Sequence, residues 1–359
     1  MLSYCTCNEK YTGGFMAVSC KQIAEMAGVS RQAAASVLNG AAKCLVSKEK
    51  KELILKLAKE LNYVRNNAAR TLVRGKSGLV GILSGGFHVK RTGLFMISMD
   101  KMLRDAGFLP VIIYTRSEYN HIRDGIRSLL QQNVDALIIN GVLPDEEGNI
   151  ISTLKNQGLL DMVPTLITNS GHRAECDAVY FDYDNVVEQI CTKAAKGSFA
   201  RIKSFIRHAK THSGIYESGV ALRKVAEKLN AADSEEVEIF FTQPLHPERE
   251  MIDILSEVHK SMQNILPGTL YLCDTGFCAI QVTASLLKKY GKIPADSAVI
   301  AFDHTESCGY FSPGISSVEL DFDCFSRKCR QLLECRMANS DIPVQTANIQ
   351  ANFIERETF

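Results

Sequence analysis

The sequence predicts a mixed α/β chain: a small helical head, a short basic linker, and a large body of two lobes, each a parallel sheet covered by helices. Three observations carry this. Two amphipathic helical segments meet at Gly28 within residues 18–39, a third helical repeat follows at 47–61, and from residue 78 to 302 short apolar runs alternate with helical periods. At 359 residues, with 46% hydrophobic and 23% charged residues, the chain is long enough for more than one domain and has an ordinary globular composition.

In the first segment Ile23, Met26 and Ala27 stand at i, i+3 and i+4, an apolar face expected to turn inward, while Lys21, Gln22 and Glu25 face water. Gly28 tolerates the left-handed conformation that ends a helix, Val29 fills the corner, and Ser30 is placed to cap a second helix starting at Arg31. The inward face of that helix is expected to be Ala33, Ala34, Val37 and Leu38, leaving Arg31, Gln32, Ala35 and Ser36 outside. Two short helices so joined form a helix-turn-helix layout, and Arg and Gln make paired hydrogen bonds to base edges in the major groove. A plain helical hairpin has the same spacing. Ser47 is expected to cap a third helix, with Lys48, Lys50 and Lys51 in its first turn and Leu53, Ile54, Leu57, Ala58 and Leu61 closing a three-helix core.

Charge separates the head from the body. Residues 16–76 hold twelve Lys/Arg against four Asp/Glu, a surplus of eight, so a chain of formal net charge +1 must carry a deficit of seven in the remainder. A basic head on an acidic body fits a nucleic-acid-binding module attached to a ligand-binding core, although a basic face alone is a common solvated feature. Residues 65–77 are a short run of helix formers ending in a basic, Gly-containing stretch, expected to stay disordered until something orders it. Residues 1–16 read as a disordered leader, and residues 1–15 as an upstream extension from start-site assignment. Intact mass of the native protein tests that expectation.

The twelve cysteines are scattered, with no CxxC pair and no suitably spaced histidines. They read as reduced, mostly small core residues, with no metal site and no cofactor. No apolar run approaches the roughly 18 residues of a membrane span, and the N-terminus lacks a signal peptide's basic start and apolar stretch, so a cytoplasmic protein is expected. No nucleophile elbow or phosphate-cradling glycine loop supports an enzyme, since Gly85-Gly86 and Asp303-His304 are isolated.

In the body, strands are expected at 78–83, 109–114, 136–139, 165–168 and 179–182, with helices at 94–106, 122–131 and 150–157. A second set follows: helices at 186–196, 219–229, 248–262 and 279–290, and strands at 202–206, 237–241, 269–273 and 298–302. Ligands of open α/β sheets sit beyond the carboxyl ends of strands. That rule singles out Ser84 with Phe87, Asn140 with Asp145, Asn169, Asp274 and Asp303.

The run AGVSRQAAASVLNG, the ELNY that ends the third helix, and NNAARTLVRGKSGLVGIL resemble the lactose-repressor (LacI/GalR) family of bacterial transcription regulators. The blocks YLCDTGFCAIQVTASLLKKYGKIPADSAVIAFDHT and FSPGISSVEL extend the resemblance over roughly residues 17–357. It implies a helix-turn-helix domain at 17–64, a hinge helix and linker at 65–77, and a periplasmic-binding-protein-like core of two Rossmann-like subdomains at 78–359, joined by crossing segments. It further implies a homodimer, with a tetramer also open, that binds a pseudo-palindromic operator in double-stranded DNA and is switched by a small-molecule effector, a sugar or related metabolite. The DNA contacts it implies fall on Ser30, Arg31, Gln32, Ser36, Asn66, Ala69 and Leu72, with Leu72 wedging the minor groove at the operator centre. The effector contacts fall on Phe87, Asp145, Tyr216 and Asp274.

The sequence departs from the family pattern in two places. Ala33-Ala34-Ala35-Ser36 stands where relatives often have Thr-Val-Ser-Arg, so specificity is expected to rest more on Arg31 and Gln32. Tyr216 stands where relatives that bind sugars or purines usually carry arginine, and tyrosine cannot make that paired, charged contact. Asp274 has a second reading as a cap of the following helix, Asp145 as a solvated turn, and Asp303 as a residue that shapes its strand end. The alternative for the whole chain is a ligand-binding sensor with a weak or vestigial DNA-binding head.

Overall fold

A computed structural model of the chain describes residues 18–39, 46–63, 75–85, 90–115, 119–141, 150–169, 175–197, 199–209, 217–231, 233–241, 247–303 and 306–359. The expected leader and most of the expected hinge, with Asn66, Ala69 and Leu72, lie outside these residues, as do Phe87, Asp145 and Tyr216. Contacts divide the chain into two compact units, 1–77 and 78–359.

In the first unit α1 spans Cys20–Ala27, α2 Arg31–Leu38 and α3 Lys48–Glu60. A reciprocal cap starts α1: the Gln22 backbone N–H donates to Ser19 Oγ at 3.3 Å, and the Ser19 N–H donates to Gln22 Oε1 at 2.8 Å. Gly28 ends it at φ 63°, ψ 44°, where a Cβ would strain the backbone. Ser30 and Ser47 cap the next two helices as expected, their hydroxyls accepting from the N–H groups of Ala33 at 3.1 Å and Lys50 at 3.3 Å. Lys50 also donates its Nζ to the last carbonyl of α1, that of Ala27, at 2.6 Å, a cation placed at the negative end of a helix.

Ile23, Ala27, Val37, Leu38 and Ile54 form the buried centre, with Leu57, Ala58 and Leu61 packed around it. Two expected core residues are outside. Met26 is 57% exposed and Leu53 36% exposed. On α1 the inward stripe runs through Ile23, Ala24 and Ala27; Ala24, small enough for a close helix crossing, turns the helix so that Met26 falls on its flank. On α3 only Ile54 is fully buried, and Leu53, one residue earlier on the helix, is rotated about 100° away from it.

The second unit holds two six-stranded sheets. In the first, β1 (Leu79–Gly85), β2 (Leu109–Thr115), β3 (Ala136–Asn140), β4 (Thr165–Thr168) and β5 (Asp177–Asp182) alternate with α4 (Lys90–Asp105), α5 (Tyr119–Gln131) and α6 (Ile150–Asn156). The second sheet contains β6 (Arg201–Ala209), β7 (Asp233–Phe241), β8 (Thr269–Cys273), β9 (Ala298–Ala301) and β10 (Ser316–Glu319). Its helices include α7 (Asp184–Ala194), α8 (Glu217–Leu229), α9 (Pro247–Ser261) and α10 (Gly276–Tyr290). The apolar runs of β3 and β8 are buried at every position, as strands covered on both faces require. At Gly125 of α5 an added Cβ would stand 2.6 Å from Leu83 Cδ1, so glycine there lets the helix approach β1.

The C-terminal elements are α11 (Glu306–Tyr310), α12 (Phe322–Ala338), β11 (Thr346–Gln350) and β12 (Asn352–Ile354). The sheet orders are β11-β5-β4-β3-β1-β2 and β12-β10-β9-β8-β6-β7. Every pairing is parallel except that of β12 with β10. The chain therefore passes between the lobes three times: after β5, between β10 and α12, and between β11 and β12. Asp182 ties the first crossing to the third. Its carbonyl accepts from the Ala351 N–H at 2.8 Å, and its Oδ2 accepts from Asn348 at 3.0 Å and Gln350 at 2.9 Å.

Candidate DNA-binding head and effector cleft

Helix α2, the expected recognition helix, turns Ala34, Val37 and Leu38 into the head and leaves Arg31 and Gln32 exposed. Ala33, Ala35 and Ser36 are half-buried. Gln32 and Ser36, one turn apart, lie opposite the buried stripe. Ser30 is exposed and accepts the cap bond through Oγ, which leaves its hydroxyl proton for an outside acceptor such as a phosphate oxygen. Behind the helix, Cys20 Sγ lies 3.8 Å from the Arg31 carbonyl oxygen, and burial pushes its thiol pKa up despite the nearby guanidinium. That thiol stays neutral, so the basic character of the face comes from Arg31 and the lysines.

Both sheets follow the doubly wound order in which strand direction of winding reverses at one point, between β1 and β3 and between β6 and β8. Crevices open at such points, beyond the carboxyl ends of the strands. At the first, Asn140 donates its Nδ2 to Ser84 Oγ at 3.0 Å. Asn140 Oδ1 in turn accepts from Thr168 Oγ1 at 3.0 Å and Asn169 Nδ2 at 2.9 Å. Ser84, Asn140 and Thr168 are buried, and Asn169 is half-buried at φ 52°. This crevice floor is made of neutral amides and hydroxyls.

The second reversal carries charge. Asp274, just past β8, accepts from Arg207 Nε at 2.9 and 3.0 Å and from the Arg207 backbone N–H at 3.0 Å. Asp274 was also read as a cap of the next helix, but that cap is Thr275, whose Oγ1 accepts from the Cys278 N–H at 3.1 Å. Arg207 is not among the contacts the family pattern implies, since that pattern has its arginine at position 216, where this chain has Tyr216. An isolated arginine at a strand end was the available signal. Beside the pair, burial and a hydrogen bond with Cys278 push the Cys273 thiol pKa well up, so it is a neutral wall. Asp303 is buried at the end of β9. A cavity of about 590 Å³ beside the crossing segments is lined by Ser98 and Lys101 of α4 and by Asp303, Asp321 and Phe322. Among the described residues no group of three metal-ligating side chains occurs, and no helix is long and apolar enough to cross a membrane.

Residues 19–66 match the family model described as bacterial regulatory proteins, lacI family, and residues 192–359 match the periplasmic binding protein-like domain. By these two matches the chain is similar to lacI-family regulators. Among its relatives, the lactose operon repressor of Escherichia coli K12 is 22% identical over 313 residues, covering 85% of this chain and 81% of the relative. The KdgR regulator of Bacillus subtilis is 22% identical over 342 residues, covering 94% and 96%. The crystal structure of the Lac repressor dimer bound to operator and the anti-inducer ONPF superposes with a TM-score of 0.75 at 19% identity, covering 96% of this chain and 99% of that one. The CelR–cellobiose complex gives 0.60 at 18% identity, covering 95% and 100%. At these identities the structural likeness is one of fold, and the two parallel-sheet subdomains follow it. The chain is a transcriptional regulator with a DNA-binding head and a ligand-binding core.

Proposed function

We propose that this regulator is a repressor that binds a pseudo-palindromic operator as a homodimer, and that a small metabolite held between its lobes changes the affinity. One observation carries the reading: a basic helix-turn-helix head precedes a core whose two sheets each place a buried polar cluster at the reversal of strand order. Such clusters cost free energy unless satisfied, and these lie at the edges where open α/β sheets take ligands. The lobes are joined by three short crossings, so a ligand touching both edges biases their relative disposition. To act as a switch it must favour one disposition by a few kcal/mol.

Dimerisation is supported by the apolar surface of the first lobe. Ile97 on α4 is 70% exposed, and Leu109, Ile112 and Tyr114 are exposed on β2, the edge strand of its sheet. Apolar side chains on an open edge invite a second copy of the same surface. The relatives are regulators rather than enzymes, which supports a non-enzymatic role, and a cytoplasmic location is inferred by likeness to them. The test is a gel shift of the full-length protein with duplex carrying its selected site at moderate salt. A retarded complex that a scrambled duplex does not compete away supports the reading. No retarded complex would favour a ligand sensor with a vestigial head.

A further inference from the structure

We propose that Asp135 is a positioning residue for operator binding: it fixes the point at which the connecting chain enters the body, and so the separation of half-sites that the two heads of a dimer can span. The proposal rests on the reading of the protein as an operator-binding homodimer. Three hydrogen bonds converge on residues 78 and 79. Asp135 Oδ2 accepts from the Gly78 N–H at 2.7 Å, the Gly78 carbonyl accepts from the Leu109 N–H at 2.8 Å, and the Leu79 carbonyl accepts from the Asp135 N–H at 2.8 Å. The last two extend the parallel ladders that join β1 to β2 and β3. The first is supplied by a side chain, and its charged acceptor makes it stronger than its neutral companions. Gly78 stands at φ 76°, so the chain turns where the body begins, and the division into two compact units falls between residues 77 and 78. Glycine imposes no direction on such a turn by itself; its hydrogen-bond partners do.

The same strands end at the crevice of the first lobe. β1 and β3 are neighbours in the sheet. Asp135 immediately precedes β3 and Asn140 closes it, and Asn140 Nδ2 donates to Ser84 Oγ near the end of β1. The strand pair is therefore tied by a side chain at each end, once where the connecting chain enters and once on the crevice floor. Asp135 makes the entry point move with β1 and β3 as one piece. Releasing Gly78 adds one free residue to each tether, up to about 3.3–3.6 Å of reach. One base-pair step along B-DNA is about 3.4 Å. A dimer without this tie therefore spans half-sites one base pair away from the native separation.

The test uses the full-length protein, duplexes carrying two copies of its selected half-site at separations changed in single base-pair steps, and a duplex carrying one half-site alone. Affinity is read by fluorescence anisotropy. For a one-base-pair step away from the preferred separation, the native protein is expected to lose at least about tenfold in affinity and D135A no more than about threefold. Affinity for the single half-site stays the same in both, since the head is untouched. D135N keeps an oxygen that accepts from the Gly78 N–H and retains the native profile. D135S, whose hydroxyl ends one bond short of the carboxylate oxygens, flattens the profile as D135A does and covers the case in which D135A does not fold. A variant that is merely less stable loses affinity by one factor at every separation. That result, or a native profile in D135A and D135S, overturns the proposal and leaves the operator-binding reading standing. A native protein that binds two half-sites no better than one overturns the dimer reading, and the proposal with it.

Discussion

Arg336 clips the end of α12 to the first sheet, and its replacement is the sharpest test of how the core is held. Its Nε and Nη2 donate to the two carboxylate oxygens of Asp177 at 2.9 and 2.7 Å. Nη1 reaches the carbonyls of Ser340 at 2.8 Å and Ile342 at 2.5 Å, and Nη2 that of Pro343 at 2.9 Å. The Asp177 side chain is 3% exposed, and it also accepts from the Gln345 N–H at 2.8 Å. In Arg336→Met the volume is kept and a buried carboxylate is stranded, a change that costs about 3–5 kcal/mol. For a unit of this size that is a fall in Tm of roughly 10 °C.

The pH dependence supplies an independent check. In the native protein the hydrogen bond to Asp177 raises the Arg336 pKa, so the guanidinium stays charged at every accessible pH. In Arg336→Met the buried Asp177 carboxylate has lost its cation, and burial then disfavours the charged form. The folded state then binds the proton more tightly than the unfolded state, so the deficit shrinks as pH falls from 8 toward 5. Asp177→Asn in the same chain removes the charge and recovers most of the loss. Thermal unfolding followed by circular dichroism at pH 8, 6.5 and 5 measures all of this. A variant within 1 kcal/mol of the parent, or a deficit that grows on acidification, would refute the reasoning.

Gln32→Ala is expected to change the preferred base at one position of each half-site, by about 1–3 kcal/mol of discrimination, rather than weaken binding uniformly; in vitro site selection reads this out, and an unchanged logo counts against it. Ile97→Glu places a charge on the exposed face of α4, so sedimentation velocity should show monomers and operator affinity should fall roughly tenfold or more as the second head is lost. Gly28→Ala forces an L side chain to φ 63° with its Cβ 3.3 Å from Lys50 Nζ. Because the lysine end can swing away, the cost is the backbone strain of about 1–2 kcal/mol, seen as faster amide exchange in α1 and α2 with the core unchanged.

Much of this architecture is written locally in the chain. The bounds 165–168 and 269–273 are those of β4 and β8, because short apolar runs between polar turns leave little choice. Ser30 and Ser47 cap their helices for the same reason: a cap needs only its own next turn. What was hidden depends on partners far away in sequence. Arg207 and Asp274 are 67 residues apart, and neither residue alone says that they pair. Met26 shows the limit of spacing on an eight-residue helix, where one small residue, Ala24, decides which side faces in. The last helix was missed because its apolar positions, Phe325, Cys329, Leu332 and Leu333, are interleaved with Arg and Cys. The return of β11 to the first sheet follows from three-dimensional packing and has no local signature.

The central claim is that the basic head reads one DNA sequence and that the core controls it. Fluorescence anisotropy of the full-length protein with its selected duplex and with a scrambled duplex, at about 150 mM salt, tests the first half directly. At least about 1,000-fold tighter binding to the selected site is expected, with affinity falling steeply as salt rises because phosphates are neutralised by the lysines and arginines of the head. Equal affinity for both duplexes would contradict sequence-specific regulation and leave only a basic surface.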